Sequence, residues 1–138
     1  MSTDLQDIGR LIKSLQNRHH RMVDAALAEI GSTLSQWDAL RAIKRHPDAS
    51  SHVLAEYTFQ TDQSFGALAM KLEEKRLIAR TPGRGRALQH SLTPSGNDIL
   101  TRATKIAERV LAQSFAPLSK AEQAQLLSLI TTVLGTEK

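Results

Sequence analysis

Apolar residues recur along most of this chain at helical spacing, interrupted by one short basic stretch where the pattern shifts toward alternation. Leu5, Ile8, Ile12, Leu15, His19, Met22 and Ala26 follow one another at intervals of three and four, so one stripe marks a long helix from Leu5 to about Ile30. Gly31 predicts its end, as glycine does after many helices. Ser35 with Asp38 predicts a capping-box start for a second helix, which turns Trp37, Leu40 and Ile43 inward and stops before Pro47. Ser50 or Ser51 can cap a short third helix carrying Val53, Leu54 and Tyr57. Phe59 and Gln60 then form a tight turn, and Thr61 caps a fourth helix.

Two helices so closely joined form a helix-turn-helix unit. In the fourth helix Phe65, Leu68, Ala69 and Leu72 share the inward face, which sends Gln63, Gly66, Ala67, Met70, Lys71 and Glu74 outward. Ile78 to Thr81 and Ala87 to Leu92 predict two short strands around a loop from Pro82 to Arg86, together a wing. Thr93-Pro94 opens a further helix with Ile99, Leu100, Ala103, Ile106, Ala107, Val110 and Leu111. Pro117 breaks it, and Ser119 with Glu122 forms the capping box of a last helix bearing Leu126, Leu127, Ile130, Val133 and Leu134. The expected fold class is mainly α, a winged helix-turn-helix with a short β-hairpin wing and helices at both ends.

The N-terminal stripe is longer than a small domain can cover by itself, so a partner helix is expected. Leu5, Ile8, Ile12 and Leu15, with Leu126, Ile130 and Val133 near the other end, are the expected homodimer contacts. One domain spanning residues 1–138 is anticipated, with a winged-helix lobe at about 35–92 and dimerisation helices at about 4–30 and 94–136.

Composition narrows the chemistry. With 138 residues, 41% of them hydrophobic and 23% charged, the chain can bury a core without metal or disulfide staples. The absence of cysteine excludes a disulfide framework and a cysteine-based redox switch. The polar opening and the lack of any long apolar run predict a cytoplasmic protein with no membrane partner. The net charge of +4 is modest, but its distribution is one-sided. Lys75, Arg76, Arg80, Arg84 and Arg86 fall in the segment from Lys75 to Asn97, which has no Asp or Glu, and Gly83 and Gly85 flank Arg84. A basic finger beside a helix suits double-stranded DNA.

Other chemistries are disfavoured. The chain has no Gly-rich phosphate loop, nucleophile elbow or H-E-x-x-H motif, so an enzyme is not expected. No cofactor is implied. Adjacent His19 and His20 point about 100° apart on a helix and cannot easily chelate one ion. His46 and His52 flank a turn and could meet, but no acidic or thiol ligand is evident beside them, so no metal is expected.

The order of elements, with Leu34-Ser35-Gln36-Trp37, Leu54-Ala55-Glu56, Leu72-Glu73, Leu77-Ile78 and Leu92-Thr93-Pro94-Ser95-Gly96, resembles the MarR (multiple antibiotic resistance regulator) family of winged-helix transcription factors. The resemblance covers nearly the whole chain. It implies a dimer that represses palindromic operators and is released by a small aromatic or phenolic ligand. Trp37, His19, His20 and Arg41 could line a pocket for such an effector, whose binding residues the sequence leaves unassigned. The chain departs from the family pattern at four points. Arg84-Gly85-Arg86 stands where the wing usually has D-x-R, Gly66-Ala67 replaces a more polar recognition surface, and Phe59 and Arg76 occupy positions where glycine is common.

In this reading the fourth helix lies in the major groove. Thr61, Gln63, Ser64, Ala67 and Lys71 are its expected DNA contacts, with Gln63 suited to adenine and Lys71 to phosphate. Arg80, Arg84 and Arg86 would approach the neighbouring minor groove. The rival reading is a winged-helix protein-interaction module with weak or no specific DNA binding.

Overall fold

Six helices and one hairpin build the computed structural model, which describes residues 4–83, 85 and 88–135. Helix α1 spans Leu5–Leu27, and the Asp4 carboxylate accepts from the Gln6 N–H at its start. A short 3-10 turn, Ala28–Ile30, follows, and Gly31 takes the left-handed conformation (φ 69°) that lets the chain reverse. Helix α2 covers Leu34–Arg45, α3 Ser51–Tyr57 and α4 Asp62–Glu74. Strands β1 (Ile78–Pro82) and β2 (Leu88–Leu92) precede the long α5 (Pro94–Phe115) and α6 (Lys120–Leu134). The expected β2 start at Ala87 lies outside the described residues.

The cap expected at the start of α2 is corrected. Thr33, not Ser35, caps this helix, its hydroxyl accepting from the Gln36 N–H at 3.1 Å. Asp24 of α1 accepts from the Leu34 N–H at 2.8 Å, so a tertiary contact satisfies a second orphan donor. Asp38 instead pairs with Arg41. The other expected caps form: Ser50 for α3, Thr61 for α4, Thr93 for α5, and the reciprocal Ser119–Glu122 box for α6.

The core gathers Leu27, Trp37, Leu40, Ile43, Leu54, Phe65, Leu72, Ile78, Leu100 and Ala103, so α1, α2, the helix-turn-helix, β1 and α5 all contribute to it. Within α1 only Val23 and Leu27 are buried, which places the core at its C-terminal end. A tight junction ties the hairpin to α5. Thr93 donates from its hydroxyl to the Arg76 carbonyl at 2.6 Å and from its backbone N–H to the Leu77 carbonyl at 3.0 Å. A Cβ at Gly96 would stand 1.9 Å from the Leu77 oxygen, so only glycine fits there. That contact explains why the strand-to-helix corner needs glycine in its place.

Candidate nucleic-acid interface

Helix α4 is held by one face and open on the other. Phe65, Ala69 and Leu72 are buried, whereas Gln63, Ser64, Ala67, Met70 and Lys71 are exposed. Thr61 is also exposed, but its hydroxyl is committed to the Ser64 N–H at 3.0 Å. Nothing lies within 4 Å of a Cβ built at Gly66, so the middle of this face is shallow and unobstructed. Such a surface admits close approach and methyl contact, with Gln63 able to present a donor and an acceptor together.

The first turn of α4 is more acidic than a bare phosphate site. Asp62 sits there, and His52 of α3 meets its carboxylate through Nδ1 at 2.8 Å while Nε2 meets Glu56 at 2.8 Å. The hydrogen bond with Asp62, and then the nearby negative charges, hold the His52 imidazole above its ordinary range. Carboxylates therefore do stand beside His52, a correction to the sequence expectation. His46 does not meet it either, because its ring stacks on Tyr57 at 3.9 Å. Among the described residues no group of three His, Cys, Asp or Glu is arranged to hold a metal ion.

The hairpin register places Arg80 opposite His90, so the two share the face turned toward α4. Arg80 Nη2 lies 2.9 Å from Glu73 Oε1, and its side chain is only 21% exposed. His90 is 2% exposed, its ring set edge-on to Phe65 at 6.0 Å. Burial, and then the Arg80 charge, push the His90 imidazole below its ordinary range. Glu73 and His90 are site residues that sequence reasoning missed. The acid-free stretch begins at Lys75, yet the acid that pairs with Arg80 lies just upstream on the preceding helix. The expectations at Arg84 and Arg86 lie outside the described residues, and between them Gly85 is exposed with φ 70°.

The effector candidates divide into two places along α5. Trp37 donates from Nε1 to Thr104 at 3.1 Å, with the Arg41 guanidinium 3.8 Å from its ring centre. His19 Nε2 lies 2.7 Å from the Ser114 hydroxyl, and its ring meets Phe115 edge-on. Burial and then Arg18 depress its basicity. Ten residues of helix separate Thr104 from Ser114, about 15 Å at the α-helical rise, so the pairs do not line one small pocket within a protomer. His20 is exposed.

The expected dimer residues are mostly uncovered. Leu5 is 78% exposed, Val133 84%, and Ile8, Ile12 and Ile130 are also exposed, whereas Leu15 and Leu126 are half-buried. Helix α6 buries none of its residues. No helix among the described residues is long and apolar enough to cross a membrane.

Residues 30–87 match the sequence model of the MarR family. An HTH-type transcriptional repressor of Mycobacterium tuberculosis, Rv2887, is 30% identical over 110 residues, covering 78% of this chain and 79% of the relative. The solved structure of that M. tuberculosis protein with p-aminosalicylic acid superposes with a TM-score of 0.81 at 26% identity, over 96% of this chain and 100% of that one. Its complex with DNA gives a TM-score of 0.79 at 25% identity, over 96% and 98% of the two chains. A probable transcriptional regulator from Pseudomonas aeruginosa gives 0.80 at 26% identity, over 94% and 99%.

Proposed function

The chain belongs to the MarR family, and on that premise we propose that it is a dimeric, sequence-specific DNA-binding repressor of palindromic operators, released by a small aromatic acid. The observation that carries this reading is the open outer face of α4, exposed from Gln63 to Lys71 while Phe65, Ala69 and Leu72 anchor the opposite face. The winged-helix lobe would be residues 35–92, with the terminal helices forming the dimer in the cytoplasm.

In a complex, α4 enters the major groove with Gln63 toward an adenine edge and the small Gly66-Ala67 surface against thymine methyl groups. Lys71 meets phosphate. The relative solved with DNA and with p-aminosalicylic acid supports both partners as classes for this chain. Such a ligand would release DNA by favouring a dimer whose two α4 helices lie away from the spacing of one DNA turn, about 34–36 Å.

Selection from random duplexes followed by gel shift tests the reading. Enrichment of one imperfect palindrome is expected, and salicylate should reduce retention on it. Gln63→Ala should cost about 1–3 kcal/mol and relax preference at one base pair. Lys71→Gln should weaken every duplex alike and make the salt dependence shallower. A pool showing no sequence preference would instead favour the protein-interaction module.

A further inference from the structure

A two-stranded hairpin is marginal alone, so the wing must be held against the body. Its lower end is anchored by Ile78, which is buried, and by the junction through Thr93. Higher on the hairpin the contact changes character. Arg80 and His90 face each other across the strands, and the Arg80 guanidinium turns onto Glu73 of α4 at 2.9 Å. This is the one ion pair between α4 and the hairpin among the described residues. Beneath it both ring nitrogens of His90 are buried without a hydrogen-bond partner, as is Nε of Arg80. Among the described residues Glu73 is thus the one side-chain acceptor hydrogen-bonded to this partly buried guanidinium.

We propose that the Glu73–Arg80 pair is a clasp fixing the angle between wing and recognition helix, so that a carboxylate on the DNA-binding lobe is required for DNA binding and Arg80 is a positioning residue, not a phosphate ligand. The inference rests on the DNA-binding reading above. Its physical basis is the asymmetry of a partly buried pair. Without Glu73, the guanidinium loses its charged acceptor beside a His90 ring that makes no hydrogen bond to it, and must swing outward to regain water, taking β1 with it. Without Arg80, Glu73 can remain hydrated, because its side chain is 42% exposed.

The expected effect of losing this carboxylate is opposite in sign to simple charge counting. Removing an acid near DNA ordinarily tightens binding, yet Glu73→Gln should weaken binding to the selected operator five-fold or more. Its slope of log affinity against log salt should stay at the wild-type value, since no phosphate contact is deleted. Arg80→Gln should likewise weaken binding at constant slope, in contrast to Lys71→Gln. Thermal melts establish that each variant is folded. Hydrogen exchange of the free protein supplies a second readout that needs no DNA, and the amides of β1 and β2 should exchange faster in Glu73→Gln than in wild type.

Equal or tighter operator binding by Glu73→Gln overturns the clasp. So does a fall in salt slope on Arg80→Gln comparable to that of Lys71→Gln, which would make Arg80 a phosphate contact. Should Glu73→Gln fail to fold, Arg80→Gln decides by the same slope and exchange criteria. If wild-type protein binds no duplex, the DNA reading fails and takes the required-carboxylate claim with it. Unchanged wing exchange would then sink the clasp separately.

Discussion

Phe59 and Arg76 both adopt left-handed backbone conformations, with φ of 56° and 61°, where side chains bring Cβ against the following carbonyl. Each sits just past a helix. The Gln60 N–H reaches back to Ala55 and the Leu77 N–H to Leu72, closing the wide turns that end α3 and α4. Phe59 makes this turn while 98% exposed, so packing offsets little of the cost. Phe59→Gly and Arg76→Gly should therefore each raise stability by about 1 kcal/mol, the left-handed cost less the added freedom of the unfolded glycine. Urea titration of the two variants checks this, and a loss of stability in both would refute the strain assignment. The turn at Phe59 was legible in the sequence, but the left-handed conformation of both residues was signalled only by the family pattern, in which glycine is common at both positions. Local propensity alone does not single out either residue. The cap of α2 was less legible still, since Ser35 offered a plausible box. Thr33 is favoured in the fold because Gly31 delivers an extended chain and Asp24 arrives from another helix.

Helix boundaries were readable because caps and prolines lie at the ends of clear apolar stripes, and α6 begins at the box formed by Ser119 and Glu122. The wing was harder. Its strands could be placed, but which face turned toward α4 depended on how the hairpin docked, and that decided whether Arg80 pointed at solvent or at Glu73. The same docking buries His90. Because burial and Arg80 hold this imidazole below its unfolded value of about 6.5, the unfolded chain binds more protons between the folded pKa and pH 6.5. Its contribution to stability is therefore complete above pH 6.5 and declines as pH falls through that window. His90→Leu, which removes the titrating group and fills most of its space, should flatten this acid-side decline. Denaturant titrations of both proteins between pH 7.5 and about pH 5 measure it. An undiminished slope in the variant would assign the decline to other groups. His52 acts in the opposite sense: its raised pKa gives a contribution present below about pH 6.5 and lost as pH rises through the folded value.

At the scale of the molecule the two chain ends are unfinished. Leu5, Ile8, Leu11 and Ile12 on α1 and Leu127, Leu129, Ile130 and Val133 on α6 leave two helical faces in water, far more apolar surface than isolated exposed residues account for. The stripe at three-and-four spacing made the α1 face legible, whereas the partner that covers it cannot be read from one chain. In the dimer proposed above, a second copy would cover both faces and would also set the spacing of two α4 helices. An Ile12→Asp, Ile130→Asp double variant should consequently sediment as a monomer at micromolar concentration while keeping its helical circular dichroism, because neither residue belongs to the buried core. The consequence for DNA follows from counting contacts. If each protomer neutralises about three phosphates, the dimer's slope of log affinity against log salt is near −5, and a monomer on a half-site should show about half that. Affinity should fall much further than the slope implies, since the second half-site is no longer reached at high effective concentration. A double variant that is monomeric yet binds the full palindrome with undiminished slope would show that these helices do not couple the two reading heads.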